Sequence, residues 1–269
     1  GDTVHMHVTN SLIDTTTVHW HGMHLPPVMD GGPHQIIPPN TTWSPYWKVA
    51  NDAATYWYHP HLHKMTTEQL IKGLGGFIIV RDSNEASLAL PRTYGVDDIP
   101  LALSSRRYTN SNQFVTANVA YGDYVLVNGT PSPQITLPKQ YVRLRILNVE
   151  TERAYNLGFS DNRNFYLIAT DGGLVNSPVQ LTRLRLGVGE RAEILVDLSN
   201  DNINTSIDLK AYNSGQGQGF PGGEPNSTGQ FGSLLNNTDF NILHINVGVA
   251  TSNPVTSVPS VLADRKSVV

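Results

Sequence analysis

The residues best suited to chemistry in this chain are its histidines, and two groups of them share one pattern. The first is His19-Trp20-His21-Gly22, and the second lies inside Thr55-Tyr56-Trp57-Tyr58-His59-Pro60-His61-Leu62-His63. In an extended strand, side chains two residues apart leave the same face and stand roughly 7 Å apart along the chain. Each His-X-His can therefore offer two imidazoles to one side, and two such pairs make a four-imidazole cluster if they meet in space. Neutral imidazole suits copper and zinc, whereas calcium and magnesium prefer oxygen ligands, so the residue types point to a transition metal.

His-X-His also occurs on solvated strand faces, and the chain carries its own control. His5-Met6-His7 has the same spacing with no second signal beside it and is expected to lie on an exposed face. The other two pairs differ in their flanks: Trp20 and Gly22 border one, Trp57, Tyr58 and Pro60 the other, and few charges adjoin either. A half-buried imidazole needs a partner, and a metal is one way to supply it. His63 continues the alternation of His59 and His61 and is read as a neighbour of the site or a solvated residue. His24, His34 and His244 have no paired signal and read as ordinary surface or loop histidines. Trp20 and Trp57 are expected to pack beneath the site.

The elements that must position these residues read as strands. Val4, Met6 and Val8 alternate with His5 and His7, and the β-branched run Thr15-Thr16-Thr17-Val18 leads directly into His19. Pro26, Pro27, Gly31, Gly32, Pro33, Pro38 and Pro39 mark a long loop. Residues 43–49 and 55–58 read as two strands, and Pro60, which cannot donate to a ladder, puts His59 and His61 at a strand end. One short helix is expected after Thr66-Thr67-Glu68-Gln69, which fits a capping box, with Gly73 as its stop. Further strands are expected near 76–80, 101–104, 124–127, 141–147, 165–170, 180–186, 192–196, 207–212 and 241–247. Turn signals such as Asn128-Gly129 and Asp171-Gly172-Gly173 punctuate them. Many short strands with regular turns and almost no helical periodicity read as β-sandwich architecture. The stretch 213–238, rich in Gly, Asn, Ser and Gln, reads as a mobile excursion.

At 269 residues the chain exceeds the usual single-domain size, which favours two domains. A net charge of −4 gives no reason to expect nucleic acid or an anionic membrane as partner. No apolar run is long enough to span a bilayer, and no signal peptide is visible. The absence of cysteine excludes disulfides and every thiolate metal site, including the Cys-plus-His centre of blue copper.

The order and spacing of His19-Trp20-His21-Gly22, Asp30-Gly31-Gly32-Pro33, Trp57-Tyr58-His59-Pro60-His61 and Gly73-Leu74-Gly75-Gly76 resemble the first domain of a multicopper oxidase. Asp97-Asp98-Ile99-Pro100, Val127-Asn128-Gly129, Arg143-Leu144-Arg145-Ile146-Leu147-Asn148, Thr170-Asp171-Gly172-Gly173 and Gly189-Glu190-Arg191 are similar to that family's second domain. The resemblance runs from about residue 1 to residue 250 and is closest to the bacterial laccase and cuprous-oxidase branch. It implies an all-β fold of tandem cupredoxin-like Greek-key β-sandwiches. The first would span 1–82 and lack its first strands, since Gly1-Asp2-Thr3-Val4 reads like the middle of a domain; the linker would span 83–95, the second sandwich 96–250, and a tail or connector to a missing third domain 251–269.

The resemblance also implies the chemistry. His19 would hold the mononuclear type 2 copper and His21, His59 and His61 the type 3 pair of a trinuclear cluster, with four further histidines supplied by a third cupredoxin domain. The type 1 copper and its His-Cys-His run are not in this chain, so the chain is expected to be the front part of a larger protein or one piece of a nicked one. Asp30, eleven residues after His19, stands where that branch has an acidic residue beside the type 2 copper. It would relay protons to oxygen there, or else simply shape the turn Asp30-Gly31-Gly32. The intact enzyme would take electrons from phenols, aromatic amines or cuprous ions, reduce oxygen to water, and be periplasmic or secreted. Without the third domain the chain is expected to be inactive.

Two other classes compete. A copper-free structural or assembly protein could use the same fold, although such members usually lose the histidines that are all present here. A cupin-type dioxygenase also uses His-X-His on β structure, but it requires a Glu three or four residues after the pair, and Glu68 follows His61 by seven.

Overall fold

The computed structural model describes residues 1–225 and 228–263, and the chain folds almost wholly as β structure. In its first part, Thr3–His5 pairs antiparallel with Tyr46–Lys48, and Val8–Thr9 with Thr42–Trp43. The facing layer has three strands in the order His19–His21, Ala54–His59, Gly76–Val80. Between the layers lie Trp20, Met23, Trp47, Ala54 and Tyr56, with Val4, Met6 and Val8 packed against them. The alternation read from the sequence therefore holds: His5 and His7 are exposed while the valines and Met6 turn inward.

The helix spans Thr66–Ile71, but its start differs from the expected capping box. Its N-cap is Met65 with no side-chain cap, and Thr66, already inside the helix, donates its hydroxyl to Leu62 O at 3.0 Å. A second, unexpected helical turn covers Ser83–Ala86, where Asp82 Oδ1 accepts from Glu85 N at 2.7 Å. The stretch read as a linker is thus built into the fold, with Glu85 and Leu90 buried.

The remaining strands form two facing sheets. The larger has the order Thr130–Pro131, Tyr124–Val127, Asp98–Arg106, Tyr141–Asn148, Arg191–Asp197, Phe165–Thr170, Gly173–Leu181. The smaller runs Gln134–Pro138, Asp239–Gly248, Ser206–Tyr212, Tyr155–Phe159, Leu184–Leu186. Neighbours in space are mostly not neighbours in sequence, and Asp98–Arg106 lies parallel to Tyr141–Asn148, the connectivity of a Greek-key sandwich. Several strands lacked a clear sequence signal, three of them for evident physical reasons. Gln134–Pro138 ends in proline; Tyr155–Phe159 contains Asn156 and Gly158, both poor strand formers; Gly173–Leu181 carries Pro178, tolerated because that strand is an edge.

The stretch 213–238 departs from the expected mobile excursion. Among its described residues Asn213, Phe220, Ser233 and Asn236 are buried. Asn213 Nδ2 donates to Ala154 O at 3.0 Å, and Arg153 donates to Asn236 Oδ1 at 3.0 Å. Polar side chains bonded to main chain and to buried arginine take the place of an apolar core there. Residues 226 and 227, and 264–269 of the expected tail, lie outside the described residues. The described part of that tail packs on the sandwich: Leu262 is buried beside Leu90 and Leu174, and Leu262 N donates to Asn176 O.

Alternation in the larger sheet decides what faces the histidines. Val142, Leu144 and Ile146, with Ala192, Ile194 and Val196, point into the second sandwich's core. Arg143, Arg145 and Leu147, with Arg191 and Glu193, point the other way. Strand Ala54–His59 lies against that outer face: Thr55 bonds to Glu193, and Trp57 packs with Leu147, Val149 and Leu70. Its opposite face, Ala54 and Tyr56, belongs to the first sandwich's core. One strand therefore serves both halves, and its end carries His59.

Candidate metal centre

Strands His19–His21 and Ala54–His59 pair antiparallel with His19 opposite His59, Trp20 opposite Tyr58 and His21 opposite Trp57. Directly opposed residues share a face, so His19, His21, Trp57 and His59 project together and Trp20 and Tyr58 project away. Ring centroids of His19 lie 5.7 Å from His21, 5.2 Å from His59 and 5.4 Å from His61. His59 is 5.3 Å from His21 and 6.0 Å from His61. One ring nitrogen from each of His19, His21 and His59 falls within 4.8 Å of the others; His61 stands outside that tighter group but adjoins two of its rings.

Main-chain partners fix the rings. A carbonyl can only accept, so His19 Nδ1 donates to Asp30 O at 3.0 Å and His59 Nδ1 to Pro60 O at 2.9 Å. Their Nε2 atoms then carry the lone pairs, as in a metal-ligating histidine held by its other nitrogen. His59 Nε2 lies 3.1 Å from His21 Nδ1, so its lone pair points into the cluster. Burial, and for His21 also the nearby Arg191 charge, pushes the pKa of both His21 and His59 down to about 4. Both are neutral at pH 7. A cluster of imidazoles with no thiolate fits copper or zinc and does not fit calcium or magnesium.

His61 lies past the end of the ladder, where Pro60 breaks the pairing. Its backbone N–H is caught by the buried hydroxyl of Thr17, which accepts at 2.6 Å. The alternation stops there: His63 sits in an exposed turn and does not join the cluster. Asp30 meets His19 twice, through its carbonyl and through Oδ1, 3.2 Å from Nδ1. Its loop is pressed onto the histidine strand, since a Cβ on Gly31 would lie 1.7 Å from Val18 O and Gly31 has φ +72°.

Trp57 does pack beneath the site, with its ring centroid 4.2 Å from His59 and 5.0 Å from His21. Trp20 does not. Sitting between two histidines on a strand, it points to the opposite face, where it stacks on Trp43, packs at a tilt against Trp47 and donates Nε1 to Met29 O. His24 and His34 are exposed, and His244 pairs with Asp208 at 2.7 Å on the far sandwich.

Support from the second sandwich went unread in the sequence. Thr55 Oγ1 donates to Glu193 Oε1 at 2.7 Å and accepts from Arg145 Nη1 at 3.0 Å, inside a buried network of Arg143, Arg145, Glu193, Glu85 and Asp98. Arg191 Nε donates to Thr55 O at 3.0 Å. The signal available was Arg143 and Arg145 alternating with apolar residues on a strand, which only paired charges make tolerable when buried.

Comparison with known proteins gives a consistent picture. Family models described as multicopper oxidase match residues 1–85 and residues 104–217, most of the chain. Multicopper oxidase mco of Staphylococcus epidermidis is 36% identical over 203 residues, covering 74% of this chain and 45% of that protein. Cell division protein FtsP of Escherichia coli (strain K12) is 37% identical over 210 residues, covering 74% of this chain and 43% of that protein. Among solved structures, the laccase-like multi-copper oxidase CueO from the lignin-degrading bacterium Ochrobactrum sp. superposes with a TM-score of 0.85 at 34% identity, covering 99% of this chain and 56% of that one. The chain thus spans less than half the length of those two curated relatives.

Proposed function

The chain belongs to the multicopper oxidase family, and from that premise we propose that His19, His21, His59 and His61 are this chain's share of the ligands to a trinuclear copper cluster. The observation that carries the reading is the convergence of four imidazole rings from two paired segments, with His19 and His59 aimed by main-chain carbonyls and His21 and His59 held neutral by burial. Copper bound there would supply the one-electron steps by which oxygen is reduced to water. His19 would serve the type 2 position and the other three the type 3 pair, with four more histidines from a third cupredoxin domain in the same polypeptide or a separate chain. The blue copper that receives electrons would also lie outside this chain, because the chain has no cysteine.

In this reading the first sandwich supplies ligands, and the second holds them in place. His19 is oriented by the Asp30 carbonyl, while the Asp30 carboxylate, 3.2 Å from the same ring, is in position to pass protons toward the centre. Trp57 excludes water beneath His21 and His59. The division into sandwiches of 1–82 and 96–250 joined through 83–95 follows the same logic. The reductant would be a phenol, an aromatic amine or a cuprous ion; the Ochrobactrum relative is described as having oxidase activity towards lignin model compounds and lignosulfonate. A periplasmic or secreted setting suits such substrates. No helix among the described residues is long and apolar enough to cross a membrane.

A second reading, a copper-free structural or assembly role on the same fold, is favoured by the 37% identity to Cell division protein FtsP. Metal analysis separates the two. The full-length protein carrying this chain should contain copper and consume oxygen with a phenolic donor, whereas residues 1–269 alone should bind copper weakly and consume none. A full-length protein that stays copper-free after reconstitution supports the second reading, and robust turnover by residues 1–269 alone refutes the half-site.

A further inference from the structure

We propose that Arg191 is a positioning residue that clips both histidine-bearing segments to the second sandwich and thereby sets the spacing of the imidazoles. Arg191 is buried, and its guanidinium is first tied to its own sandwich. Nη1 donates to Gly189 O at 2.9 Å and lies 3.0 Å from Asp171 Oδ1, and Nη2 donates to Asp171 O at 3.1 Å. The same Asp171 carboxylate accepts from the Arg191 backbone N at 2.7 Å, so the base of the side chain is held as firmly as its head.

The other edge of the guanidinium reaches across the interface to two segments at once. Nε donates to Thr55 O at 3.0 Å, four residues before His59 on the same strand. Nη2 presses on Gly22, the residue after His21: a Cβ there would stand 3.0 Å from Nη2 and 2.9 Å from the Tyr56 ring. Gly22 also has φ +85°, so glycine is required at that position twice over. The Gly189 turn completes the contact, since a Cβ on Gly189 would lie 3.6 Å from Trp57 and 3.7 Å from His21 Cε1.

Arg191, together with the neighbouring Gly189, thus meets both histidine segments. The planar fork of arginine is what allows it, because its donors leave in fixed directions toward three separate carbonyls. Lysine would keep the charge and lose that geometry. Thr55 is held from its side chain by Glu193 and Arg145 and from its carbonyl by Arg191, so the register of the histidine strand against the second sandwich is fixed at one residue from two directions.

The spacing claim stands on contacts alone; its consequence for copper rests on the function proposed above. The test uses Arg191→Lys and Arg191→Gln in the 269-residue chain, with Leu209→Ala as a control. Leu209 lies in the second sandwich's core, away from the histidines, so its truncation lowers stability without touching the clip. Amide exchange at Trp57, Tyr58 and His59 and ring-to-ring nuclear Overhauser effects between His21 and His59 need no metal. Both Arg191 variants should exchange those amides at least about tenfold faster than the control and weaken the His21–His59 contact. In a chelator competition with Cu(II), both should bind about tenfold more weakly than the unsubstituted chain, the scale typical of residues that orient metal ligands. Exchange, ring contacts and Cu(II) affinity equal to those of the control would overturn the clip. No Cu(II) uptake by the unsubstituted chain would count against the copper reading, while the exchange and ring-contact data would still decide the clip; if the Gln variant does not fold, the Lys variant decides it.

Discussion

His19 and His59 stand directly opposite each other across an antiparallel strand pair, with ring centroids 5.2 Å apart and each Nδ1 held by a different main-chain carbonyl. Register is therefore the variable on which the site depends. A slip of one residue would send His19 and His21 to the Trp20 side and bury indole where the imidazoles converge. Two interactions hold the Ala54–His59 strand, on which that register is set, to the second sandwich by different means. The apolar patch of Trp57, Leu70, Leu147 and Val149 supplies adhesion, each side chain contributing about 1.5–3 kcal/mol on burial. The ion network around Arg143, Arg145 and Glu193 adds little net adhesion, because desolvation offsets most of its Coulomb gain, but it admits one alignment.

The loop that carries Asp30 should show a sharp contrast between adjacent glycines. In Gly31→Ala the new Cβ would meet Val18 O at 1.7 Å, a backbone atom that cannot step aside, and the φ of +72° adds about 1–2 kcal/mol of its own. A Cβ on Gly32 meets nothing within 4 Å. Chemical denaturation should show Gly31→Ala destabilised by at least about 2 kcal/mol and Gly32→Ala within about 0.5 kcal/mol of the parent. Equal effects would mean that the loop is not pressed on the histidine strand.

Thr17 is the only link found between the His61 backbone and the first sandwich's interior, among the described residues. Thr17→Val keeps the volume and removes the oxygen that accepts from His61 N, leaving a partly buried donor at a cost of about 1–3 kcal/mol. Thr17→Ser keeps the oxygen. The valine variant should lose the His19–His61 ring contact in nuclear Overhauser spectra while the His19–His59 contact persists, and the serine variant should retain both. Persistence of the His61 contact in Thr17→Val would show that Pro60 alone holds that residue.

The buried carboxylates predict how the chain responds to acid. Burial tends to raise the pKa of Glu193, but the Arg143 and Arg145 charges outweigh it and the net shift is downward; for Glu85, Arg92 and Arg143 do the same. A depressed folded pKa means that the unfolded chain takes up protons first as pH falls. Stability from these groups should be complete above about pH 4.5, the ordinary value for Glu, and should fall as pH drops below it toward the folded values. In Glu193→Gln the acid-dependent loss measured by denaturation between pH 5 and pH 3 should shrink, at the cost of lower stability at pH 7. An unchanged acid slope would place the titrating groups elsewhere.

The sequence made some of this visible and hid the rest for identifiable reasons. His19, His21 and His59 could be read because the period of a strand is local, and the all-β sandwich followed from the same short-range alternation. The same rule, applied strictly, would have sent Trp20 to the far face, where it lies. Thr55 gave no local sign of its role, because its partners Arg145, Arg191 and Glu193 join it only when the chain closes. The stretch 213–238 read as a mobile excursion because it is long and rich in Gly, Asn, Ser and Gln; its described part is held by asparagine and arginine hydrogen bonds that composition does not register.

Asp30 offers two groups to His19, and substitutions can separate them. The carbonyl, 3.0 Å from Nδ1, belongs to the backbone and survives any side-chain change, whereas Oδ1 at 3.2 Å does not. Asp30→Asn should therefore leave His19 oriented and the copper content of the full-length protein unaltered. If the full-length protein reduces oxygen to water as proposed, four protons are consumed, and the amide cannot relay them as a carboxylate does. Stopped-flow reoxidation of the fully reduced full-length protein should slow by about 10²-fold or more in Asp30→Asn, with Asp30→Glu recovering part of the rate because it restores an ionisable oxygen. If Asn and Glu variants reoxidise at the parent rate, the carboxylate merely shapes the turn ahead of Gly31, and the proton path must run through some other group near the histidines.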